Sequence, residues 1–219
     1  MDVEEAIKKR RAVRTYTDKP IPDEVLDRVL RLALRAPTGG GAQAWALMLV
    51  KDPAKRLEIA ELIIRGASEY FQVLRPKKEG TSDEEHAAWA KEYAETVLGT
   101  YRVAPAWILA LYVPRYPYPP EMAEGGYLDD VISVSFAVEN MMLVAREEGL
   151  GTVPTTAFQR YEKDRLREIV GIPPEADPLI VTPIGYPESF PEGMAPALKR
   201  NFQGWKALVH DDEYGNTRA

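Results

Sequence analysis

Five of the seven residues 8–14, "KKRRAVR", are basic, and three of them are arginines: Arg10, Arg11 and Arg14. The planar guanidinium fork matches phosphate oxygens in pairs, so such a cluster can hold an anion. The same residues closing a short helix would equally offset its dipole and keep the surface soluble. A second basic pair, Lys199 and Arg200, stands in "ALKRNF" near the other end of the chain.

Two further stretches carry unusual chemistry. In "APTGGGAQAW" Pro37 and Thr38 precede a glycine triplet, Gly39, Gly40 and Gly41, followed by Gln43. Glycine loses more backbone freedom on folding than any other residue, so three together imply a special turn or a close approach to bare backbone. "GGGAQA" spells G-x-G-x-x-A, but that fingerprint works between a strand and the helix it opens. Here the order is inverted, which rejects dinucleotide binding of that kind. In "GLGTVPTTAF", Gly149 and Gly151 suit a helix end. Pro154, Thr155, Thr156 and Ala157 then offer backbone N–H groups and hydroxyls without bulk, as a backbone laid along a flat ligand would.

Other chemistries are excluded. The 219 residues contain no Cys, which removes thiolate nucleophiles, disulfides and Cys-bound metals. His86 and His210 are the only histidines, and they read as surface residues; no metal is expected. With 28 Lys+Arg against 34 Asp+Glu the net charge is −6, which argues against a broad nucleic-acid surface. "MDVEEAIKKRR" lacks the apolar core of a signal peptide. "VISVSFAVENMMLVA" is broken by Glu139 and Asn140, short of the ~20 apolar residues of a membrane span. The expectation is a soluble, cytoplasmic protein with no membrane or nucleic-acid partner.

The elements that must position these residues follow from periodicity. Helices are predicted over 3–11, from "IPDEVLDRVLRLALRA", from "AKRLEIAELIIRGA", from "EEHAAWAKEYAETVLGTYRVA", over 126–148 and in "EKDRLREIVGI". Strands are predicted at 45–52, 106–113 and 178–187. Residues 65–85 read as an exposed loop or lid, and "PRYPYPPEM" as a rigid connector or pocket wall. There Tyr116 and Tyr118, with Tyr127, either stack on a substrate or simply pack. The helix over 126–148 is apolar nearly all round, which predicts a central position. Aromatic residues in 188–219 predict a tail that docks on something. The fold class is α+β, one domain over 1–219.

Taken in order, these motifs resemble the FMN-dependent nitroreductase family along nearly the whole chain. "RRAVRTYTDKPIP" is similar to the family's R-R-S-V-R-x-F opening, and "LALRAPTGGGAQAW" to its A-P-S-x-x-N-x-Q-P-W segment. "GLGTVPTTAF" stands at its flavin-facing loop, "LIVTPIGYP" at its late strand, and "LKR" at its last phosphate-binding residues. The resemblance implies a three-layer α-β-α sandwich around a small mixed sheet. It also implies an intertwined homodimer with FMN at the subunit interface and the 188–219 tail wrapping the partner.

It further implies roles. Arg10, with Lys199 or Arg200, would hold the FMN phosphate, and Arg11 would lie near the ribityl chain or the phosphate. Arg14 would place a cation near N1 and the C2 carbonyl. Pro154–Ala157 would run along the ring system, with an N–H of Thr156 or Ala157 toward N5. The glycine loop would reach the flavin bound mainly by the other subunit. At that loop Gly41, Ala42 and Ala44 replace the family's Asn, small polar residue and Pro, leaving backbone groups and Gln43. The implied activity is ping-pong reduction of nitroaromatic, quinone or related electron-poor small molecules, with NADH or NADPH as hydride donor. The alternatives are a family member with different flavin chemistry (dehalogenase, enoate reductase or flavin-fragmenting enzyme) and a non-catalytic flavin-binding module.

Overall fold

The structure, a computed structural model, describes residues 1–193 and 203–218. Helix α1 (Val3–Lys9) opens on Asp2, whose carboxylate accepts from the Glu5 N–H at 2.8 Å. Its two lysines pair with Glu4 and Glu5 one turn earlier, so the arginines emerge just beyond its end. Helix α2 (Asp23–Ala33) leads through a 3-10 turn at Gly39–Gly41 into strand β1 (Trp45–Val50). Helix α3 (Pro53–Leu74) is capped by Asp52 and has proline in its first turn, where the missing N–H costs nothing. Helix α4 (Asp83–Leu98) begins in a reciprocal Ser82–Glu85 capping box.

Strand β2 (Ala106–Tyr112), helix α5 (Ala123–Glu147), the two-residue strand β3 (Gly151–Thr152), helix α6 (Lys163–Val170) and strand β4 (Asp177–Gly185) follow. A one-turn helix, Trp205–Leu208, lies in the tail.

The strands form one sheet in the order β1-β2-β4-β3, with every neighbour antiparallel. A parallel bridge between Ala12 and Thr152 extends its β3 edge and makes it mixed. Period-two alternation along β2 builds the layers. Trp107, Leu109 and Leu111 join Ile59, Leu62 and Ile63 of α3, Ala94 of α4 and Leu166 of α6. Ala106, Ile108 and Ala110 face the other way, onto Leu26 and Val29 of α2 and Val134, Val138 and Met141 of α5. Helices thus cover both faces of the sheet, a three-layer α+β sandwich.

Two expectations are corrected. Residues 65–74 are not loop: α3 continues through Leu74, leaving only 75–82 as connection before α4. Its continuation is held by packing, with Ala67 buried and the Phe71 ring edge-on to Tyr93 at 4.9 Å. Nor is α5 covered all round. Val134, Ala137, Val138 and Met141 are buried, while Leu128, Ile132 and Phe136 are 57, 41 and 48% exposed on another face. Among the described residues no helix is long and apolar enough to cross a membrane.

Candidate active site

The amino-terminal arginines and the 154–157 loop come together because their backbones pair. The Val13 N–H donates to the Thr152 carbonyl at 3.1 Å, next to the Ala12–Thr152 bridge. Thr155 is bonded to Val181 of β4 both ways, at 2.8 and 3.1 Å. Gly151 permits the approach: a Cβ there would stand 2.6 Å from the Val13 side chain. The buried Tyr16 locks the segment, its hydroxyl donating to the Val13 carbonyl at 2.8 Å with the Pro183 carbonyl at 3.3 Å. Burial pushes that hydroxyl's pKa well up and neighbouring Tyr101 adds to it, whereas the charge of Arg14 works against both.

The three arginines differ. Arg14 is exposed and has no ion pair among the described residues, while its carbonyl accepts from the Thr100 hydroxyl. Arg10 lies 3.7 Å from the Glu139 carboxylate on α5. Arg11 turns back onto the end of α1, donating to the Lys8 and Arg10 carbonyls at 2.6 and 2.8 Å.

The loop itself is open on one side and anchored on the other. Pro154 and Thr156 are exposed, and the Thr156 N–H has no acceptor among the described residues. The Ala157 N–H reaches only the Thr155 hydroxyl, at 3.3 Å. Beyond it Phe158 is fully buried, and the Gln159 amide donates to the Pro178 and Leu179 carbonyls at 2.9 and 2.8 Å. An exposed, unsatisfied N–H on a loop whose preceding strand pairs with the arginine-bearing segment suits a ligand that accepts hydrogen bonds and carries negative charge.

The glycine loop lies elsewhere. Gly40 and Gly41 have φ of +55° and +70°, with open space where a Cβ would be. Within this chain they serve the turn, not a close approach. Gln43 also has positive φ, +48°, and its N–H donates to the Thr38 hydroxyl at 3.2 Å. The loop is held by the Gly39 N–H on the Ser133 hydroxyl, 3.3 Å, beside Asp129 on α5. Arg10 touches the same helix at Glu139, six residues beyond Ser133 and ten beyond Asp129, or about 9–15 Å further along at 1.5 Å per residue. Among the described residues no hydrogen bond or ion pair joins Pro37–Gln43 to the arginine–threonine cluster. Lys199 and Arg200 lie outside the described residues.

Near the glycine loop the tyrosines pack. The Tyr118 ring fills the space over Gly126, where a Cβ would stand 2.5 Å away, and Tyr112 meets Tyr127 edge-on at 5.2 Å; Tyr116 is exposed. Asp130 is buried beside them. Burial, reinforced by Asp129, raises its pKa, and burial with Asp130's charge raises those of Tyr112 and Tyr118.

Sequence reasoning missed three contributors. Gly66 of α3 packs on the Ala157 carbonyl, where a Cβ would stand 2.6 Å from the oxygen; a lone Gly inside a helical pattern was the available signal. Ser133 and Asp130, polar residues in an apolar helix, carried a weaker signal of the same kind.

The model of a family described as "Nitroreductase family" matches residues 7–186. The chain is 32% identical over 198 residues to iodotyrosine deiodinase 1 of Pongo abelii, covering 90% of this chain and 64% of that protein. The chain thus spans about two thirds of that relative's length. It is 29% identical to iodotyrosine deiodinase of Thermotoga neapolitana, covering 83% and 86% of the two. A solved structure of oxidized iodotyrosine deiodinase bound to FMN and 3-iodo-L-tyrosine superposes with a TM-score of 0.65 at 26% identity, over 89% of this chain and 94% of that one.

Proposed function

The chain belongs to the nitroreductase family, and on that premise we propose that it is an oxidoreductase that uses FMN to reduce a small electron-poor aromatic acceptor. The observation that carries the reading is the pairing of Val13 with Thr152, which joins the segment carrying an unpaired Arg14 to the strand that leads into a loop with a free N–H at Thr156. The residues fit an anionic, hydrogen-bond-accepting cofactor. Arg10 would hold the phosphate, with Arg11 and the basic pair Lys199 and Arg200 near it. Arg14 would hold positive charge where negative charge develops on the ring, and the Thr156 or Ala157 N–H would donate to a ring nitrogen. Pro154 and Thr155 would lie along the ring without crowding it.

When bound, FMN supplies two-electron chemistry, accepting hydride from NADH or NADPH and delivering it to the acceptor. No protein nucleophile is needed, in keeping with a chain without cysteine.

A second copy of the chain completes the reading. The glycine loop and the Leu128–Ile132–Phe136 stripe share α5. A homodimer formed across that stripe would cover it and bring the loop of one protomer toward the cluster of its partner. The tail that follows residue 188 belongs to the same single domain and would wrap the partner.

A second acceptor class is favoured by one observation: relatives at 29–32% identity carry the name iodotyrosine deiodinase. Reductive loss of halide from a halogenated phenol is therefore the competing activity. The experiment is an anaerobic titration of purified protein, expected to be yellow, with NADH and NADPH. It is followed by one acceptor at a time: nitrobenzoate, a quinone and 3-iodotyrosine, scored by acceptor loss and iodide release. Protein that stays colourless after incubation with FMN overturns the reading; iodide release alone selects the second acceptor class.

A further inference from the structure

Glu139 interrupts the apolar run of α5, and neither the fold nor the function proposed above uses its charge. Val138 and Met141, on either side of it, are buried beneath the sheet. Glu139 itself faces outward, its side chain 50% exposed. A lone carboxylate at such a position is ordinarily a solvated group. Here it stands 3.7 Å from the Nε of Arg10, the residue assigned above to the FMN phosphate.

The neighbouring charges are engaged elsewhere. Lys8 and Lys9 are matched by Glu4 and Glu5 on α1. Arg11 donates to the Lys8 and Arg10 carbonyls. Arg146, two turns beyond Glu139 on α5, donates from Nε to the Lys9 carbonyl at 3.1 Å, and its guanidinium carbon lies 3.6 Å from the Phe190 ring centre. Among the described residues Glu139 is the one carboxylate within ion-pair distance of Arg10, and the Arg10 side chain makes no hydrogen bond.

Two effects of this carboxylate oppose each other, and their sizes decide the sign. Holding the guanidinium in place would favour a phosphate by pre-orienting its donors. A contact of 3.7 Å is too long for a hydrogen bond, and half-exposed pairs of this kind hold their partners weakly. Charge repulsion works the other way. A phosphate seated on the Nη groups of Arg10 would face a second anion across a single guanidinium, and that repulsion needs no hydrogen-bond geometry to act. The weak hold leaves repulsion as the larger effect.

We propose that Glu139 is a specificity-determining residue that opposes the flavin phosphate at Arg10. It thereby narrows the difference in affinity between FMN and riboflavin, which carries the same ring system without the phosphate. This rests on the FMN reading, through Arg10 as the phosphate ligand, and adds to it a residue of α5 that weakens the contact. Riboflavin offers Arg10 no negative charge, so the carboxylate has nothing to repel when that flavin binds.

The test is fluorescence titration of the full-length protein, stripped of flavin, with FMN and with riboflavin. Parent, E139Q, R10A and R10A/E139Q are compared; glutamine keeps the size of an exposed side chain and removes only its charge. E139Q is expected to bind FMN about tenfold more tightly than the parent and riboflavin within about twofold of it. The gain for FMN should shrink in about 1 M salt, where charges are screened beyond about 3 Å. In the R10A background the same change should gain less than about threefold, because the phosphate is no longer held opposite the carboxylate. If the parent binds neither flavin, or R10A binds FMN as the parent does, the assignment of Arg10 to the phosphate falls and this inference with it. If R10A loses affinity while E139Q binds FMN no better than the parent, the inference alone is overturned. It is also overturned alone if riboflavin gains as much as FMN, or if the full gain persists without Arg10.

Discussion

Gly66 in the middle of α3 faces the carbonyl oxygen of Ala157 so closely that a Cβ would stand 2.6 Å from it and 3.1 Å from the carbonyl carbon. The helix thus sets the position of the loop that carries Thr156. Replacing Gly66 by alanine would ordinarily stabilise a helix by roughly 1 kcal/mol. Here the obstacle is backbone, which cannot swing aside as a side chain tip can. Gly66→Ala is expected to cost about 1–3 kcal/mol of stability, the range for overpacking a filled site, and to weaken FMN uptake. Urea unfolding and a flavin titration check the two effects. A variant as stable as the parent would mean that the loop moves freely.

The triple glycine makes the opposite case. Gly40 and Gly41 have positive φ but nothing within 4 Å of a Cβ. Gly40→Ala should therefore cost about 1–2 kcal/mol from backbone conformation alone, without the local displacement expected at Gly66. Thermal unfolding measures the cost. A loss well beyond that range would reveal a partner group that approaches the loop.

Arg10→Ala tests the phosphate role. The Arg10–Glu139 pair is loose and partly exposed, so its removal should change stability by less than about 1 kcal/mol. FMN affinity should fall by about 1.5–3 kcal/mol, the range for a hydrogen bond to a charged group. Unchanged affinity in a fluorescence titration would move the phosphate to other cations.

Much of the fold was legible, and for local reasons. The apolar run at 106–113 is buried on both faces, those at 45–52 and 178–187 are partly so, and the strands end within two residues of the predicted limits. The misread stretch was 65–74, where Gly66 and Ser68 weaken the helical signal. Its helix depends on Ala157, Tyr93 and other residues remote in sequence, which no local pattern reports. Strand β3 escaped notice because two residues show no alternation, and its pairing depends on Val13 fitting over Gly151. On α5, composition could not say which apolar face the chain itself covers. Of the candidate site, the arginine strand and the threonine loop proved adjacent through a backbone pairing that spacing does not encode. The glycine loop makes no hydrogen bond or ion pair with either among the described residues.

Asp130 gives a pH prediction with a definite sign. Its folded-state pKa is raised above the ordinary 3.8, first by burial and then by Asp129. As pH rises from the ordinary value, the unfolded chain releases this proton before the folded one does. The group therefore lowers stability through the window between the two values and keeps it lowered above that window. Asp130→Asn should raise the melting temperature at pH 7, and the gain should vanish in acid, where both forms are neutral. A gain that is the same at pH 3 and pH 7 would assign the effect to packing instead of charge.

The exposed stripe on α5 decides whether one chain suffices. Leu128, Ile132 and Phe136 recur every four residues and are 57, 41 and 48% exposed. Aligned apolar side chains of this size on one helix face mark an association surface. The parent is expected to sediment as a dimer, and the double substitution Ile132→Lys with Phe136→Glu to sediment as single chains. Both changes lie on a face that the chain's own core does not use, so the monomer should retain its helical circular dichroism. If the glycine loop of one protomer closes the flavin site of the other, that monomer should also lose most of its bound FMN, although Arg10, Arg14 and Thr156 are intact. A monomeric variant that keeps its full complement of FMN would show that each chain builds its site alone. The Gly39–Gly41 turn would then serve α5 and nothing beyond it.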